Sequence, residues 1–186
     1  MPNLNTRILE FVNNAVGYYH PLDIVFLVAT SSITLAFVAA LVGFYFGIYV
    51  PWKEKGEERM KKKHDAVFIF GSVFATYVVV AIVKALIAYP RPFNTLTDLH
   101  VLINLPNDYS FPSGHAALTM ALATAVYFFR KRLGALLFAF AFVVGIARIY
   151  VGVHYPLDVG VGFLLGYGIP KLLGHFFIKK ETLKLQ

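Results

Sequence analysis

The sequence contains no cysteine. Disulfides and thiolate-bound metals are therefore excluded, and cysteine usage says nothing of the compartment its loops face. Charge is scarce too: 15% of the 186 residues are Asp, Glu, Lys or Arg, well under the roughly 25% of soluble domains. Acidic residues are fewest, ten against seventeen Lys and Arg, for a net charge of +7. Internal repeats, low-complexity tracts and linkers are missing, so a single domain over 1–186 is expected. The opening "MPNLNTRILEFVNN" lacks the basic start and continuous apolar core of a cleaved signal peptide, so the membrane segments are expected to carry the targeting information.

Apolar length is what the chain has instead. Hydrophobic residues make up 58% and aromatics 16%, with a mean hydropathy of +0.66. Crossing the hydrocarbon core takes about 20 apolar residues in a helix. Runs of suitable length lie at about 22–50, 66–89, 113–129, 133–151 and 156–178. The first 20 residues place Leu4, Ile8, Phe11, Val12 and Val16 at roughly helical spacing, which predicts an amphipathic helix in the membrane interface. The expected fold is all-α, an integral membrane bundle of five to six helices: five spans plus that N-terminal helix.

Basic residues orient the bundle, because short loops rich in Lys and Arg stay in the cytoplasm. Six lie in "PWKEKGEERMKKKHD", three in "RKR" at 130–132 and four between Lys171 and Lys184. With five spans these segments share one side, so thirteen of the seventeen are expected in the cytoplasm, beside the inner face of the plasma membrane. A nucleic-acid partner would need a basic face on a soluble domain, so none is expected. The stretch from Pro90 to Pro112 and the turn around His154 then face outward, and "HVLINL" at 100–105 suggests a short interfacial helix. Tyr18, Tyr19, Tyr49, Trp52, Tyr89 and Tyr109 suit aromatic belts.

Three short elements fall at that outer level. Lys84 interrupts an apolar run, and Arg91 follows at i+7, on the same face if the helix persists almost to Pro90. A lone Lys so near a helix end commonly snorkels; two cations on one stripe suit an anion. "FPSGH" places Ser113 as a helix N-cap with Gly114 and His115 in the first turn, either ordinary helix-start grammar or an anion cradle. "RIYVGVHYPLD" places Arg148 at a helix end and His154 four residues before Asp158, within reach of a carboxylate bond to Nδ1 that leaves Nε2 free. One pocket holding three cations, a helix N-terminus, two His and one Asp fits phosphoryl transfer without a metal or cofactor. His115, His154 and Asp158 also have the composition of a two-His, one-carboxylate metal site, but three cations beside it disfavour another positive ion.

These stretches carry a resemblance. "KALIAYPRP", "PSGH" and "RIYVGVHYPLD" resemble, in order, the three motifs of the type 2 phosphatidic acid phosphatase superfamily of membrane lipid phosphatases, whose phosphate site is shared with vanadium haloperoxidases and glucose-6-phosphatase. The resemblance implies that Lys84, Arg91 and Arg148 clamp phosphate with Ser113 and Gly114. It also implies that His154 attacks, oriented by Asp158, and that His115 protonates the leaving oxygen. Ala147 stands where that family usually has Ser. Size, topology and the N-terminal "LEFVNNAVG" are similar to the bacitracin-resistance type of undecaprenyl-diphosphate phosphatase. That type favours an isoprenoid diphosphate, with phosphatidylglycerophosphate, phosphatidic acid, lipid A phosphate or non-hydrolytic lipid-phosphate binding and transport as alternatives. Outside the motifs, His20, His64 and His175 read as interfacial bystanders, and His100 and Asp108 as loop residues near a headgroup. Gly162 and Gly166 form a GxxxG for close packing within one bundle or for a dimer.

Overall fold

The computed structural model describes residues 3–46, 56–104 and 106–184. Tyr49, Trp52 and the end of the first apolar run lie outside them. Among the described residues the fold is all-α, with seven helices: α1 (Leu4–Asn13), α2 (His20–Thr30), α3 (Ser32–Phe44), α4 (Glu57–Ile87), α5 (Gly114–Phe129), α6 (Lys131–Tyr150) and α7 (Pro156–Lys184).

Each of the five expected spans coincides with a described helix or helix pair. α4, α6 and α7 are long and apolar enough to cross a membrane, and a fourth crossing exists if α2 and α3 count as one span. Those two are bent by 57° at Ser31, whose extended backbone (ψ 137°) ends α2 and whose Oγ accepts the Thr34 N–H to start α3. A single helix over 22–50 is therefore corrected to a broken pair, because three successive hydroxyl residues, Thr30 to Ser32, offer the backbone local partners in place of helix bonds.

α5 is shorter and more enclosed than α4, α6 and α7. Its 16 residues rise about 24 Å, short of the roughly 30 Å hydrocarbon core, and Ala116, Ala117, Ala121, Ala123 and Ala125 are fully buried. It is the central helix, packed against α4, α6 and α7. Small residues make this possible: a Cβ on Gly162 would stand 2.7 Å from the Ser113 carbonyl oxygen, and one on Gly166 would fall on that of Ala117. The GxxxG thus presses α7 onto α5 within one chain.

α1 forms as expected, capped by Asn3. It buries Leu9 and Asn13 and leaves Leu4 and Phe11 exposed. Asn13 bonds both the N–H and the carbonyl of His100, at 2.9 and 2.8 Å, and the carbonyl of Tyr150 at 2.7 Å. That clamp supplies partners outside the segment, and residues 100–104 run as irregular backbone where a short helix is expected. Asn5 likewise accepts the Leu157 N–H at 2.9 Å, so the N-terminal helix braces the start of α7. Gly152, at φ +76°, ends α6 in the left-handed conformation that favours glycine and turns the chain toward His154.

Candidate active site

The turn after α6, the start of α5 and the end of α4 converge at one end of the bundle on a cavity of about 590 Å³ lined by Lys84, Arg91, Gly114, His115, Arg148 and His154, among others. Six of the eight expected phosphate and catalytic residues meet there. The other two stand behind the wall: Ser113 at the α5 N-cap and Asp158 beside His154, both buried.

Arg91 arrives by a different route from the expected one. α4 ends at Ile87, where Ala88 adopts φ +47°, so Arg91 is not two helical turns above Lys84 on a continuous helix. Pro90 and Pro92 cannot extend the ladder, and Arg91 instead precedes a short 3₁₀ turn, Pro92–Asn94. The two side chains still meet. Arg91 Nη2 donates to Asp108 Oδ1 at 2.5 Å and Lys84 Nζ to Asp108 Oδ2 at 2.7 Å, while Lys84 also donates to the Tyr109 carbonyl and Arg91 Nε to that of Asp108. Burial alone would raise the Asp108 pKa; the bonds from Lys84 and Arg91 outweigh it and hold the carboxyl below the usual carboxylate range.

Arg148 is 3% exposed. Its Nη1 donates to Thr30 Oγ1 at 2.6 Å, and its buried Nε has no partner among the described residues. Ser113 Oγ is likewise buried without a partner, although it occupies the N-cap. The capping hydroxyl thus makes no capping bond, and Gly114 and His115 of the first turn line the cavity beside Lys84, Arg91 and Arg148. The Ser113 N–H donates to the Asp158 carbonyl at 3.0 Å, tying the second motif to the third.

His154 is 1% exposed. Burial first, then Arg148 and Arg91, push its imidazole well below the ordinary value, so the ring is neutral. Arg91 Nη1 stands 3.2 Å from Nε2. Arg can only donate, which assigns the lone pair to Nε2 and the proton to Nδ1. Asp158 Oδ2 lies 3.5 Å from Nδ1 and accepts from the Tyr155 N–H at 2.9 Å. His115 stands across the cavity with Nε2 3.5 Å from Ser32 Oγ. Among the described residues no three His, Asp or Glu side chains gather at metal-ligating spacing.

The three motifs thus stand in space as they do in order, and residues 65–181 match the PAP2 superfamily. The chain belongs to the PAP2 superfamily. Relatives agree with this family. A "bacitracin transport permease protein BcrC" of Bacillus licheniformis is 47% identical over 76 residues, covering 41% of this chain and 37% of that one. An "undecaprenyl-diphosphatase" of Sulfolobus acidocaldarius is 43% identical over 84 residues, covering 45% and 41%. The match therefore spans about two fifths of the length of these curated relatives. Among solved structures, LpxE of Aquifex aeolicus superposes with a TM-score of 0.73 at 30% identity, over 92% of this chain and 94% of that one.

Two groups at this PAP2 site escape a reading by motif. Thr30, Ser31 and Ser32 line the cavity from the break between α2 and α3; three consecutive hydroxyls inside an apolar run were the available signal. Asp108, Tyr109 and Ser110, just ahead of "FPSGH", bond Lys84, Arg91 and Asp158; Asp108 reads from the sequence as a loop residue near a headgroup, and no pattern marks Tyr109 or Ser110 as part of the site. Ala147 is fully buried. His20 lies away from the cavity, its Nδ1 3.7 Å from Asp23.

Proposed function

We propose that this chain is an integral membrane lipid phosphatase that removes the terminal phosphate of an isoprenoid diphosphate, with undecaprenyl diphosphate favoured, at the outer face of the plasma membrane. The observation that carries the reading is the His154 ring. It is neutral and buried, backed at Nδ1 by Asp158, with its Nε2 lone pair directed at Arg91 in a cavity walled by Lys84, Arg148 and the α5 N-terminus. Relatives named for bacitracin and for undecaprenyl diphosphate support the substrate class. The one-sided distribution of Lys and Arg supports the outer face.

In the first step Nε2 attacks the terminal phosphorus, the N–P bond forms and the bond from that phosphorus to the bridging oxygen breaks, releasing the isoprenyl monophosphate. His115 gives its proton to the departing oxygen. Water then attacks the phosphohistidine and gives its proton to His115; the N–P bond breaks and inorganic phosphate leaves. Lys84, Arg91, Arg148, Ser113 and the Gly114 backbone hold the equatorial oxygens, where charge accumulates. No metal or cofactor takes part.

A relative named as a transport permease raises a second reading, in which the cationic cavity holds a lipid phosphate without cleaving it. A pure binder has no use for a nucleophile oriented by a carboxylate opposite a second His. The deciding experiment is phosphate release by detergent-purified protein in EDTA, across undecaprenyl diphosphate, phosphatidylglycerophosphate, phosphatidic acid and lipid A. Release is expected from the isoprenoid diphosphate first, with His154→Ala at least about 10³-fold slower. No release by the wild type supports the binding reading, loss of release only in EDTA restores a metal, and full activity of His154→Ala sinks the nucleophile.

A further inference from the structure

The contact between Asp158 and His154 is too long to hold the ring by itself. At 3.5 Å it lies outside the 2.7–3.2 Å range of a well-made N–H···O bond. A third group holds the carboxylate and stands beside the ring. Ser110 is fully buried, and its Oγ lies 2.5 Å from Asp158 Oδ2 and 3.4 Å from His154 Nδ1. A hydroxyl has one proton to donate; it goes to the charged carboxylate oxygen and leaves the Ser110 lone pairs facing Nδ1–H. The residue cannot drift, because its own N–H donates to the Tyr89 carbonyl at 2.8 Å, anchoring it to the chain between Lys84 and Arg91.

We infer that Ser110 is a positioning residue of the reaction: its hydroxyl fixes the Asp158 carboxylate and, through it, keeps the His154 ring turned with Nε2 toward the cavity. The inference rests on the phosphohistidine reading above. Ser110 touches neither the cavity wall nor the substrate; its effect passes through Asp158. Without the hydroxyl, Oδ2 keeps the Tyr155 N–H, but the three-way contact that aligns ring and carboxylate is gone.

Ser110→Ala removes one oxygen and adds no bulk. Turnover of an isoprenoid diphosphate is expected to fall about 10- to 100-fold, with KM and inhibition by orthovanadate within about twofold of wild type, because the cation clamp is untouched. A double-mutant cycle isolates the route: in an Asp158→Asn background the same substitution is expected to cost less than about threefold. Wild-type turnover by Ser110→Ala overturns the inference. So does a loss that repeats in full in the Asp158→Asn background, or one that travels with a matching loss of orthovanadate affinity, which marks a general disturbance of the site. His154→Ala separates the two levels. If it stays active, the underlying reading falls; if it is dead while Ser110→Ala runs at full speed, only this inference falls.

Discussion

Arg91 and Arg148 stand at one end of the helix bundle with 3% of their surface exposed. Lys131 and Lys171 stand at the other, in solvent beside a second cavity of about 480 Å³ walled by Tyr127, Phe128, Phe138 and Tyr167. Arg148 and Lys131 belong to one helix, α6, about 26 Å apart by its rise. The same charge is treated in opposite ways. Around Arg91 the chain spends a carboxylate, two backbone carbonyls and a His nitrogen; Lys171 has a tyrosine ring 5.3 Å away. Burying a cation costs several kcal/mol unless it is fully paired, and among the described residues Arg148 Nε has no partner, in keeping with the phosphate-binding role proposed for it. Exposed lysines at a helix end need no such account.

Arg148→Lys tests that contrast most severely. Lysine preserves the charge and loses the planar fork that reaches Thr30 and the cavity together. Turnover of an isoprenoid diphosphate is expected to drop about 10²- to 10³-fold, as when a preorganised charge donor is removed. Lys131→Ala and Lys171→Ala are expected to stay within about twofold of wild type, like other exposed substitutions. Comparable losses at both ends would erase the distinction.

Gly166→Ala strikes between the two ends, where α7 crosses α5. Its added methyl meets a backbone oxygen and Met120 Cβ, neither of which is the free end of a flexible side chain. Overpacking of this kind costs about 1–3 kcal/mol, so the melting temperature in detergent is expected to fall and kcat of the surviving enzyme to change little. Gly168→Ala, with open space around its Cβ, is the matched control. Equal stability of the two variants would remove the α5–α7 crossing from the forces that hold the bundle.

Much of this was legible before any coordinates. Apolar runs separated by basic loops announce a helical membrane chain. Lys84, Arg148, His154 and Asp158 stand out because charge in such runs needs a reason. Four things were not legible. The break at Ser31 lies inside an unbroken apolar stretch, where local hydroxyl bonds compete with the helix and leave no mark on hydropathy. α5 reads as a span because hydropathy cannot distinguish lipid from protein as its surroundings; its run of alanines, fit for close helix contact, was the better clue. A helix extrapolated through Ala88 puts Arg91 on the Lys84 face, whereas two prolines leave it on an irregular segment. Ser110 and Asp108 lie in a loop, where neighbours in space are set by tertiary contacts and no periodic pattern exists to read.

Asp108→Asn is the finest test of how the cavity end treats its cations. The Asp108 carboxylate bridges Lys84 and Arg91 at 2.7 and 2.5 Å, the same two cations proposed to grip phosphate, and its side chain is 55% exposed. An incoming phosphoryl group must compete with it. Lys84 and Arg91 hold this carboxyl below the usual carboxylate range, so it is charged at neutral pH and the competition operates there. Asparagine keeps the shape and removes the charge. Inorganic phosphate and orthovanadate are then expected to inhibit at about three- to tenfold lower concentration, in line with one partly screened charge pair, and KM for the diphosphate is expected to fall with them. The opposite sign, weaker inhibition and a higher KM, would mean that Asp108 braces the two cations in place and that the carboxylate belongs to the clamp.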